Sequence, residues 1–98
     1  MKKLTSKKLR AELLQTKFYL EKAHFTQDAT TAFRLHARLI AQEQVLLSAK
    51  GKTYDEFYNE VRRLRHTNQK RLAQTNLPLD QARYKLIENT LQEILVQL

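Results

Sequence analysis

Arg62, Arg63, His66, Lys70 and Arg71 crowd one short stretch of this 98-residue chain, and their charges are the sharpest chemical signal in it. Guanidinium, ammonium and imidazolium groups in such an array attract anions: phosphates, carboxylates or lipid head groups. The stretch Thr53 to Gln74 that carries them reads as one amphipathic helix. Tyr54, Phe57, Tyr58, Val61, Leu64, Asn68 and Leu72 recur at three- and four-residue steps and so share a side. At 100° per residue, Arg62, Arg63, His66 and Lys70 fall roughly opposite that stripe. Either this cationic face meets a partner, or it faces water and complements the helix dipole, as Asp55 and Glu56 do at the other end. Glu60 stands four residues before Leu64 rather than before a cation, so helical ion pairing is not expected to account for the cluster. Two residues border the stripe. Arg65 is expected to pack its stem and send its head to water, and Asn68 to satisfy a buried partner and hold helix register.

Other chemistry is sparse. His24, His36 and His66 stand far apart, and none belongs to a His-x-x-x-His or His-Glu-x-x-His pair. Ser6 and Ser48 have no base at a recognisable spacing. A single glycine cannot build a phosphate-cradling loop, and with no cysteine there is neither a disulfide nor a thiolate metal site. The expectation is a protein that is not an enzyme, with no cofactor, no metal and no small-molecule substrate.

One Gly and one Pro in the whole chain argue for helices, because a sheet fold of this size needs many turns. The patterning predicts a single all-α domain over residues 1–98, an antiparallel four-helix bundle with helices at about 5–24, 27–50, 54–74 and 80–97. Thr5 can cap the first helix, with Leu4 and Leu9 as a hydrophobic staple. Leu9, Leu13 and Leu20 form one apolar line on it, and Leu14, Phe18 and Phe25 a second on nearly the other side. Two apolar sides suit a helix wedged between two others, the arrangement bundles favour, or a helix with one side left for a partner. The second helix begins at Thr26 or Asp28, has an inner or boundary surface traced by Ala32, Phe33, His36, Leu39, Ile40, Glu43, Leu46 and Leu47, and ends at Gly51. Thr53 and Glu56 have capping-box spacing for the third. Pro78 interrupts the chain, Asp80 can cap the fourth helix with Leu79 and Tyr84 as its staple, and Tyr84, Ile87, Leu91, Ile94, Leu95 and Leu98 form its core face.

The formal net charge is +8, and residues 1–25 hold seven basic and two acidic side chains. The charged start of the chain lacks the apolar run of a signal peptide, and no segment has the ~18–20 consecutive apolar residues of a membrane span, so a cytoplasmic location is expected. Nucleic acid is a possible partner through nonspecific charge. Long helices around Gly51 do not suit a helix-turn-helix, however, and Tyr54, Phe57 and Tyr58 lie on the side expected to be buried.

An aromatic-rich helix (Tyr54, Phe57, Tyr58, Val61, Leu64) after a turn of Lys and Gly, the break Leu77-Pro78-Leu79, and a last helix with Gln81, Tyr84, Leu86, Ile87, Leu91 and Ile94 resemble one known group. Over roughly residues 33–95 the chain resembles the immunity proteins of pediocin-like bacteriocins, the enterocin A immunity family. The resemblance implies a basic cytosolic four-helix bundle. It would protect a bacteriocin producer by associating, from the cytoplasmic side, with the membrane components of the mannose phosphotransferase permease that the bacteriocin targets, with peripheral membrane contact. It implies no enzymatic activity and no strong binding of the free bacteriocin. In that family the C-terminal half carries much of the specificity, often with a tail after the last helix. Here the helical pattern runs to Leu98, which shifts expectation for the partner-binding surface onto Arg62, Arg63, His66, Lys70 and Arg71.

Overall fold

The computed structural model describes residues 5–98. Four helices follow one another: α1 (Ser6–Phe25), α2 (Ala29–Ala49), α3 (Tyr54–Gln74) and α4 (Pro78–Gln97). They pack as an all-α four-helix bundle. Three of the four starts carry the side-chain caps that their residue types favour. Thr5 accepts from the Lys8 amide and Asp28 from the Thr31 amide, while Thr53 and Glu56 close a reciprocal capping box. Of the two starts open for α2, Asp28 is the one used. The expected Leu4–Leu9 staple involves Leu4, which lies outside the described residues; Leu9 itself is buried.

Helix α4 corrects one expectation. It begins two residues earlier than Asp80, with Pro78 in its first turn and Leu77 as an N-cap that makes no side-chain bond. Proline's fixed φ suits the first helical position, where its missing N–H costs nothing. Asp80 therefore sits inside the first turn and pairs with Arg83 at 3.1 Å, and Leu79 is exposed rather than stapled to Tyr84.

The links reveal an asymmetry between two left-handed residues. Gly51 closes α2 at φ +72°, as its position after Lys50 suggests. Gln27 closes α1 at φ 59°, within a pair of bonds from the Gln27 amide to the His24 carbonyl and from the Asp28 amide to the Ala23 carbonyl. That bond pattern is a Schellman motif, whose left-handed position favours glycine. Gln27→Gly is expected to raise stability by about 0.5–1 kcal/mol, and Gly51→Ala to lower it by about 1 kcal/mol. Space does not enter at Gly51, since a Cβ there would meet nothing within 4 Å. Thermal melts of both variants measure the pair.

Helix α2, rather than α3, is the centre of the fold, because it alone packs against the other three helices. α1 lies on α2 only, α3 pairs chiefly with α4, and α2 runs alongside α4 in the same direction, with Phe33 near Arg83 and Arg38 bonded to Glu93. The close approach runs over small residues. Ala37, Ala41 and Val45, four residues apart, are wholly buried together with Leu9, Val61, Ile87, Leu91 and Ile94. The expected inner surface of α2 is thereby corrected: His36, Glu43 and Leu47 are exposed, and the alanines, which add little to an apolar pattern, occupy the seam. Gln42 is buried among them.

The expectation that α1 is wedged between two helices is also corrected. Leu9, Leu13 and Ala23 face α2, whereas Leu14, Phe18 and Phe25 stand in solvent at 61%, 63% and 90% exposure. On α3, Val61 and Asn68 are buried and Phe57, Tyr58, Leu64 and Leu72 half-buried. Tyr54, expected inward, is exposed, and its hydroxyl donates to the Leu98 carbonyl, joining the start of α3 to the end of α4.

Candidate functional site

Antiparallel packing of α3 on α4 holds the cationic stretch in place through polar contacts far apart in sequence. Asn68, buried, donates through Nδ2 to the Tyr84 carbonyl at 2.9 Å, which is the register-fixing role expected of it. Arg65 does not give its head to water alone. Its Nε donates to Glu88 Oε1 at 2.6 Å, and Gln69 Nε2 donates to the same oxygen at 3.0 Å. With Glu88 mostly buried and Arg65 about one-third exposed, this pair is the most shielded of the ion pairs among the described residues.

All five predicted cationic residues are exposed, but they form an arc rather than one patch. Arg62 and His66 line a shallow groove of about 410 Å³ between α3 and α4, with Tyr58, Gln92 and Leu95 on its walls. Arg63 and Arg71 line a different cleft, of about 290 Å³, on the flank facing α2 and beside Gln44 and Tyr84. Lys70 projects between the two, lining neither. The helical step explains the division. Arg62 and Arg71 are nine residues apart, which is half a turn out of phase.

Their charges are not equivalent either. Glu60 bonds Arg63, and Lys52 approaches the same carboxylate at 3.8 Å, so helical pairing does engage part of the cluster. Bonding to Arg63 lowers the Glu60 pKa, and bonding to Glu60 raises that of Arg63. Glu60 is three residues before Arg63, and that spacing also makes neighbours on a helix. Arg62, His66, Lys70 and Arg71 enter no ion pair among the described residues. They are the part of the arc whose charge is available to an anion.

A third concavity, of about 600 Å³, lies between the N-terminal halves of α2 and α4 and is mostly apolar. Phe33, Leu79, Ala82 and Leu86 line it, and Arg34 and Lys85 stand at its edge. Sequence reasoning did not find it, because it exists only where α2 and α4 run side by side. Leu79, exposed at the start of α4, is the one signal that could have pointed there. His24, His36 and His66 are all exposed, and among the described residues no group of three or more His, Asp or Glu side chains is placed to hold a metal ion. No helix among them is long and apolar enough to cross a membrane.

Comparison of the chain with family models, with curated proteins and with solved structures finds no match.

Proposed function

We propose that the chain is a non-enzymatic docking protein, and specifically a bacteriocin immunity protein of the pediocin-like group. It acts from the cytoplasmic face on the bacteriocin-engaged membrane receptor, the mannose phosphotransferase permease. The observation that carries this reading is the exposed cationic arc of Arg62, His66, Lys70 and Arg71, which enter no ion pair among the described residues, on a small basic four-helix bundle. The family resemblance over residues 33–95 supports the choice of partner. A surface of separate cations with shallow grooves suits protein contact at an anionic, membrane-proximal face.

Expression of the chain in a sensitive strain, followed by challenge with a panel of pediocin-like bacteriocins, tests it. Survival against at least one is expected. Reversing Arg62, His66, Lys70 and Arg71 to Glu should abolish that survival while leaving the helical circular dichroism intact. Unchanged sensitivity to every bacteriocin overturns the proposal.

The same unpaired cations also fit a phosphate backbone, which keeps a nucleic-acid-binding or regulatory protein as the second reading. That reading predicts gel-shift binding that weakens steeply with salt as counterions are displaced. It fails if no complex forms at low salt, or if Arg62→Ala with Lys70→Ala changes nothing.

A further inference from the structure

Helix α1 carries a face that the cationic arc of α3 does not explain. Leu14, Phe18 and Phe25 fall within a narrow sector of the helix at 100° per residue, opposite the sector of Leu9, Leu13, Thr16 and Ala23 that faces α2. Along the axis the stripe is about 16 Å long. Phe25 is 90% exposed, and the Phe18 ring meets Tyr19 edge-on at 5.6 Å without being covered by it. Arg10 and Lys17 flank one side of the stripe, Lys22 the other, and Lys7 continues its line toward the N-terminus. All four cations are exposed and enter no ion pair among the described residues, and Glu21 is the one acid close to the stripe.

We propose that the outer face of α1 docks on an anionic bilayer surface, with Leu14, Phe18 and Phe25 inserted at the level of the head groups and Arg10, Lys17 and Lys22 bound to lipid phosphates. An apolar stripe between rows of long basic side chains is the composition of a helix that lies in the plane of a membrane interface. The lysine stems reach past the stripe while their charged ends stay at the phosphates. α1 is free for this role because it packs on α2 alone and leaves its far side unoccupied by the bundle.

Two other occupants fit less well. A second copy would bring like charges together along the whole stripe, since residues 1–25 carry a net charge of +5. A protein partner would seat anchor side chains in complementary pockets. Leu14, Phe18 and Phe25 stand on a convex helix and line none of the five concavities of about 250–600 Å³ found among the described residues. A fluid interface needs no pocket. This face would bind bilayers whether or not the chain confers immunity, so vesicle binding and bacteriocin survival can fail separately.

Co-sedimentation with vesicles of phosphatidylglycerol and phosphatidylcholine, against vesicles of phosphatidylcholine alone, is the test. The full chain should bind the anionic vesicles, and binding should fall at least about tenfold on the zwitterionic ones or when salt is raised to roughly 0.5 M. The variant Phe18→Ser with Phe25→Ser should bind the anionic vesicles at least about tenfold more weakly, with an unchanged melting temperature, because both positions are exposed. In a separate Phe18→Trp variant, tryptophan emission should shift to the blue on addition of anionic vesicles. No sedimentation with anionic vesicles at low salt overturns the proposal. So does equal binding by the double Ser variant, an unshifted tryptophan, or a dimer in light scattering that the Ser variant dissociates.

Discussion

Shortening Leu91 to Ala is expected to destabilise the protein by about 3 kcal/mol, while the same change at Leu14 stays within about 0.5 kcal/mol. Both leucines sit on amphipathic helices, and their sequence contexts hardly separate them. Leu91 is 0% exposed in the cluster formed with Ala37, Ala41, Val45, Val61 and Ile94, and Leu14 is on the open side of α1. At Leu91 the loss combines the transfer energy of the missing methyl groups with that of the cavity left between α2 and α4, since packed helices close only partly over a void. For a domain of this size about 3 kcal/mol is a large share of total stability. The melting temperature should fall by about 12–20 °C. Denaturant titration of the two variants side by side gives both values. Equal losses would mean that the outer side of α1 is covered after all.

The opposite kind of change at the centre of the bundle should cost nearly as much. Ala41→Leu is expected to destabilise by about 2–3 kcal/mol, against less than about 0.5 kcal/mol for Ala73→Leu on the exposed side of α3. Ala41 is wholly buried on the helix that touches all three others. Three added carbons there force α2 away from a neighbour or push side chains off their rotamers. In isolation the substitution would hardly change helix formation, as leucine ranks just below alanine among the helix formers. The predicted loss is therefore purely tertiary, and a chemical denaturation curve with unchanged slope would isolate it.

Much of the candidate site could be read along the chain. The span of α3, its Thr53–Glu56 capping box, the outward setting of Arg62, Arg63, His66 and Lys70, and the buried role of Asn68 all follow from spacings of three or four residues. Others did not follow. Arg65 finds Glu88 across 23 residues of sequence, and Arg38 finds Glu93 across 55. The division of the arc between two grooves depends on α4 lying to one side of α3 and α2 to the other.

Local spacing determined the number of helices, nearly all their ends and the residues that share each face, because caps, the 3.6-residue period and the left-handed turn at Gly51 involve groups only a few residues apart. Tertiary structure decided which face is covered. A stripe of Leu14, Phe18 and Phe25 has the same period whether another helix or solvent lies beyond it. Ala37 and Ala41 look nearly neutral in an apolar pattern, yet they are fully buried at the centre of the core. Burial belongs to pairs of elements rather than to a single one. For that reason α2 emerges as the hub, α3 as a flank with a cationic edge, and α1 as a helix with an unoccupied apolar side.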